Sequence, residues 1–214
     1  MSHGVHAVQH EVEHRIEHEQ GGHGGGHDSQ NKKIALVISV LALFLAFSET
    51  LGKSAQTTAL NFQIESSDLW NFFQAKNIRR TLTIVATEAA KIDQATTSDD
   101  ARKAALTKQI DEWAKTAARY RSEPEAGNGK GEGTVELARR AKEKEAERDV
   151  ALNKYHYFEF ASAALQIGIV LCSAAVITGM MLLVWVAGGA GVLGLAFMAM
   201  GLFFPHVHLL PGAH

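Results

Sequence analysis

From Phe160 to His214 the chain runs 55 residues without an Asp, Glu, Lys or Arg. A helix needs about 20 apolar residues to cross the hydrocarbon core of a bilayer, so this tail is long enough for two crossings. The run predicts a transmembrane helix over residues 159–187, a turn at Gly188-Gly189-Ala190-Gly191, a second helix over 192–205 and a short tail over 206–214. Another uncharged run, Ile34–Ser48, follows Lys32 and Lys33 and predicts a further crossing over residues 32–52. The expected class is therefore an all-α integral membrane protein with three transmembrane helices.

The charged residues are segregated to match. Of 44 in the chain, 35 lie between Lys53 and Glu159, 18 basic and 17 acidic. A nucleic-acid footprint requires a clear basic excess, so this near-neutral segment predicts no nucleic-acid partner. The single cysteine, Cys172, lies in an uncharged run and excludes an intrachain disulfide. The first 31 residues hold no long apolar run, so no cleavable signal peptide is expected and the first apolar helix should stay as an anchor.

Residues 53–158 predict an extramembrane stalk, an α-helical hairpin or coiled coil, with a loop near 122–133. Nothing breaks a helix after Gly52 until Thr96-Thr97-Ser98. Ile78, Leu82, Val85, Ala89 and Ile92 alternate by four and three, a heptad seam expected to be buried against residues 134–158 or another subunit. Ser98 with Asp99 and Asp100 reads as a cap and an acidic first turn, opening a helix to about Arg121. Ser122–Gly133, with Pro124 and four glycines, must be a loop. Thr134 is expected to cap a highly charged helix that continues without a break into the apolar run at Phe160.

Residues 1–31 form a tail with seven histidines. Val5, Val8, Val12 and Ile16 mark one face of a short amphipathic helix, and Gly21–Gly26 predicts a flexible tether. His10–His14 matches H-E-x-x-H, but a tract this rich in histidine makes chance matches easy, and a motif needs its structural context before it means catalysis. No catalytic residue is assigned. His6, His10, His14 and His18 recur every fourth residue, so neighbours share a helix face and could bind Zn, Ni or Cu weakly. No other cofactor is expected.

Trp70, Phe72 and Phe73 at helical spacing read as packing aromatics, and Lys76, Arg79 and Arg80 as a solvated face. Among the apolar runs Glu49 and Gln166 are the notable polar side chains. A charge in hydrocarbon is costly unless paired, so Glu49 is expected to pair with Lys53 or accept a hydrogen bond from Gln166. Ala164, Gly168 and Cys172 are spaced by four, as are Ala175 with Gly179 and Ala190 with Gly194. Small residues at that spacing let helices approach closely.

Two stretches carry a resemblance. Ser67-Asp68-Leu69-Trp70-Asn71-Phe72-Phe73-Gln74-Ala75-Lys76 is one; Tyr155-His156-Tyr157-Phe158-Glu159, followed by Leu165-Gln166-Ile167, is the other. With the histidine-rich start and three apolar runs, they resemble a bacterial membrane family known as domain of unknown function 4337. The resemblance implies a multi-pass protein of the bacterial inner (plasma) membrane and brings no activity with it. The positive-inside rule, applied to the basic residues of the stalk, favours a cytoplasmic stalk. The functional expectation is a non-enzymatic assembly, interaction or accessory subunit, in contact with membrane lipid and forming a homo-oligomer or part of a larger complex. The alternatives are a metal-handling accessory protein using the histidine tail and an oligomeric channel.

Overall fold

The computed structural model describes residues 25–207, with side chains from Gln30 onward, and within them four helices. These are α1 (Gly25–Thr96), α2 (Asp100–Arg121), α3 (Thr134–Thr178) and α4 (Met181–Phe203). Helix α1 runs 72 residues without interruption and ends at the Thr-Thr-Ser cluster. It begins at Gly25, inside the glycine run expected to be a tether. Asp99, not Ser98, caps α2: its carboxylate accepts from the backbone N–H groups of Ala101 and Arg102. Thr134 is already helical and does not act as the expected cap; its hydroxyl donates to the Arg121 carbonyl across the loop at 3.3 Å.

The expected turn at residues 188–191 is corrected. Helix α3 ends at Thr178, and Gly188–Gly191 lie inside α4. The break falls at Gly179, whose φ of +69° is the left-handed conformation that favours glycine. Its N–H donates to the Ala175 carbonyl at 2.9 Å, closing the last turn of α3. This break divides the apolar tail into two nearly equal lengths, whereas a turn at 188–191 would leave the second piece short for a bilayer. Helices α1, α3 and α4 each hold a stretch long and apolar enough to cross a membrane.

The chain separates into two compact units. The first takes in α1 up to Glu49 together with Phe160–Met198. Its core is Ile34, Leu41, Leu165, Cys172 and Ala187, with Ile38, Phe44 and Val184 packed around it. Glycines set the helix separation here. A Cβ on Gly194 would lie 2.8 Å from Leu165 Cγ and 3.1 Å from the Ala161 carbonyl oxygen. The outward faces of the same helices are large and apolar: Leu36, Val170, Ile177, Trp185 and Val192 are each at least 66% exposed.

The second unit takes in Thr50–Glu159 and the chain from Ala199. Here α1 packs on the charged half of α3, where Leu137 and Ala141 are wholly buried. Helix α2, expected from the aspartates at 99 and 100 to about Arg121, lies in the same unit. It is tied to the end of α1 by Gln94 Nε2 donating to Thr107 Oγ1 at 2.6 Å and by Arg102 on Asp93 at 2.8 Å.

Candidate functional site

The residues that single themselves out are a polar clasp in the second unit, a polar pair in the first, and an apolar stripe on α1.

The clasp is built on the Ser66–Lys76 stretch of α1. Buried Ser66 donates its hydroxyl to the Ala141 carbonyl of α3 at 3.3 Å. One turn on, the Trp70 indole Nε1–H donates to Glu145 Oε1 at 2.8 Å. The Trp70 ring meets Phe73 edge-on, with centroids 5.4 Å apart. Lys76 is the centre of the arrangement. Its ammonium lies 3.4 Å from Glu123 and 3.6 Å from Glu132, at the two ends of the 122–133 loop, and 5.2 Å from the Phe72 centroid. The Lys76 side chain is only 8% exposed, so it is no part of a solvated face, as its place in a basic run had suggested. A buried lysine is stable when paired and hydrogen-bonded, and two loop carboxylates supply that here.

The loop is held from its other side by Glu136. The Ser122 hydroxyl donates to one carboxylate oxygen and the Glu123 backbone N–H to the other. Burial works to raise the Glu136 pKa, but the Ser122 and backbone hydrogen bonds and nearby Arg139 outweigh it and hold the carboxyl below its usual range. Lys144 on α3 is shared between Glu147 at 2.8 Å and Glu65 of α1 at 3.1 Å. Those two bonds raise its pKa against the opposing effect of burial.

In the first unit the structure brings Gln166 and Glu49 together. Gln166 Nε2 donates to Glu49 Oε1 at 3.4 Å, a long hydrogen bond. Gly168 and Ala164 are buried on the same helix. A Cβ on Gly168 would stand 3.2 Å from the Ala187 carbonyl oxygen of α4 and 3.3 Å from Leu41 Cδ1 of α1. The small residues of α3 and α4 are thus used for close packing within the chain. The exceptions are Gly179, which forms the turn, and Gly188 and Gly189 of α4; none of the three has anything within 4 Å of a Cβ placed on it.

The clasp contains the Ser-Asp-x-Trp stretch that carries the family resemblance. A family model described as Domain of unknown function (DUF4337) matches residues 30–204. The chain belongs to the DUF4337 family. No curated protein and no solved structure matches it. The four histidines read as metal ligands, His6, His10, His14 and His18, lie outside both the matched region and the described residues. Among the described residues no group of three or more His, Cys, Asp or Glu side chains could hold a metal ion.

The stripe is where the DUF4337 chain departs most from its sequence reading. Ile78, Leu82, Val85 and Ile92 do not pack on α3: they are 60%, 63%, 61% and 68% exposed. The heptad spacing is real, but the face that packs is another one. Residues 76, 80, 83, 87, 90 and 94 also alternate by four and three, and each is buried or half-buried. At 3.6 residues per turn a shift of two positions is a rotation of about 200°, so the predicted seam faces away. The packed face was masked because it carries Lys76, Arg80, Thr83, Thr87 and Ala90. Apolarity alone picks the wrong side. The signal that could have found it is the run of short side chains, Thr83, Thr87 and Ala90, which let a neighbouring helix come close.

Proposed function

We propose that this DUF4337 protein is a multi-pass protein of the bacterial inner membrane that works by assembly, with its charged segment forming a helical stalk that docks on other copies of the chain or on a larger membrane complex. It acts as a structural or accessory subunit and not as a catalyst. The observation that carries the reading is the heptad stripe of Ile78, Leu82, Val85 and Ile92, which faces outward on α1 while small and polar residues of the same helix face inward. Contiguous exposed apolar surface marks an interaction site, and a four–three alternation suits a partner helix. The outward Ile177, Trp185 and Leu36 of the three apolar helices support the membrane part of the reading, because lipid is the solvent such faces fit. The basic residues flanking the stalk favour its cytoplasmic placement.

The test is oligomeric state. Full-length protein in mild detergent should run as a defined oligomer, or with co-purifying subunits, by native mass spectrometry. Leu82→Glu with Val85→Glu places two charges on the stripe and should shift the population to monomer, with helix content by circular dichroism unchanged. A monomeric parent protein, or an oligomer indifferent to the double substitution, would remove the basis of the assembly reading.

A further inference from the structure

We propose that a cavity in the second unit is a phospholipid site, with the lipid phosphate on Lys154 and the start of an acyl chain on the apolar wall beside it. The cavity holds about 460 Å³, within the roughly 300–1,000 Å³ usual for small-molecule sites. Its lining joins three places in the sequence. Leu51 and Ala55 come from α1 just after its uncharged run, Val150 and Phe158 from α3 just before its own, and Leu202 from the last turn of α4. All are therefore at positions where an apolar segment gives way to a polar one, which is the depth of lipid headgroups.

The polar lining matches a phosphate. Lys154 is half-buried, and among the described residues it makes no ion pair. Lysine at such a depth lays its methylenes on apolar surface and presents its ammonium at the headgroup level. Glu147 also lines the cavity, but its carboxylate is engaged by Lys144 at 2.8 Å. His206 at the rim is exposed. The cation left to a ligand is thus Lys154, and the remaining wall is mostly apolar. That combination selects an amphiphile with an anionic group close to its hydrocarbon. A free phosphate would satisfy Lys154 and leave the apolar wall wet; a phosphate-free lipid would do the reverse.

The inference rests on the membrane reading, and the experiment separates the two. Membranes carrying the parent protein are first washed with alkaline carbonate; release of the chain would overturn the membrane reading and the lipid site with it. Purified full-length protein in detergent is then titrated by native mass spectrometry with phosphatidylglycerol, with diacylglycerol of the same chains, and with inorganic phosphate. One phosphatidylglycerol per chain should bind ahead of diacylglycerol, and phosphate should not bind measurably. Lys154→Gln should weaken phosphatidylglycerol about fivefold, the worth of one basic side chain at a lipid surface, and leave diacylglycerol unchanged; Lys154→Arg should restore it. Thr58→Trp, from an exposed position on the lining, should obstruct both lipids. If carbonate leaves the chain in the membrane but neither variant changes phosphatidylglycerol binding, the lipid is unspecific and the site is refuted while the membrane reading stands. Binding of phosphate alone as tightly as the lipid would make the site one for a soluble anion and also refute it.

Discussion

The two units of the chain use the same four–three packing rhythm with opposite chemistry. In the first, Ile34, Leu41 and Leu165 face inward, but equally apolar residues such as Leu36 and Ile177 face outward. Inside and outside differ there in size and fit more than in polarity, and glycines at 168, 191 and 194 set how closely the helices approach. In the second unit, inside and outside differ in polarity, yet part of α1 has the contrast reversed. Ser66, Lys76 and Thr87 are buried while Ile78, Leu82 and Val85 are exposed. The comparison teaches that packing in both units follows small side chains and specific polar bonds, and that the larger apolar groups are left for a different neighbour: lipid in one case and a protein surface in the other, on the reading proposed here.

The sharpest way to break this comparison is to fill a glycine contact. Gly194→Val should destabilise the first unit by about 3 kcal/mol, the upper end for overpacking, because the added Cβ meets Leu165 and a backbone carbonyl. Gly188→Ala, where nothing lies within 4 Å, should be neutral or stabilising. Thermal melts in detergent that treat the two alike would show that glycine-mediated approach does not set the packing. In the second unit, Lys76→Ala should cost about 2 kcal/mol, since it leaves Glu123 and Glu132 without their shared cation. Hydrogen exchange should then rise selectively over residues 122–133. A uniform rise, or none, would mean that the loop does not depend on Lys76.

A smaller effect should follow from the polar pair. Glu49→Leu removes the acceptor of Gln166 and should cost about 1 kcal/mol, whereas Glu49→Gln keeps a hydrogen-bonding partner and should melt near the parent. Equal melting of all three would place the pair outside the forces that hold the helices. The smallest expected effect is a pH dependence. Glu136 titrates below its usual value in the folded chain, so its contribution is present above the unfolded carboxyl pKa of about 4.3 and is lost as pH falls through the lower folded value. Glu136→Gln should flatten the acid limb of loop protection measured by hydrogen exchange below about pH 4.3. An unchanged limb would assign the acid sensitivity to other carboxylates.

Much of the fold could be read along the chain. The end of α1 at the Thr-Thr-Ser cluster, the start of α2 at its aspartates and the 122–133 loop all follow from residues that act locally, through capping, φ preference and missing donors. The placement of the turn did not, because Gly188-Gly189-Ala190-Gly191 is as plausible a break as Gly179. Its glycines instead lie inside a helix, where Gly191 alone of the three faces a close neighbour, Leu41, from a distant part of the chain. Of the candidate residues, Gln166 was legible together with its acceptor Glu49, 117 residues away, because both are rare polar groups in apolar runs; Trp70 was legible as a packing aromatic, but its acceptor Glu145, 75 residues away in a run crowded with charges, was not.

The sequence by itself determined that this chain is helical, where its charge is concentrated, and which three stretches are apolar enough for a bilayer. These are properties of neighbouring residues, and short-range physics is sufficient to read them. Only the tertiary structure decided that Gly179 makes the turn, that Lys76 is a buried anchor, and that the apolar stripe of α1 faces out. A helix has a face every 100° or so, and the one that becomes the interior is chosen by the helix that arrives against it. Here the 122–133 loop brought the carboxylates for Lys76 and α2 came against the end of α1, and that outweighed the apolar face the sequence displays most openly.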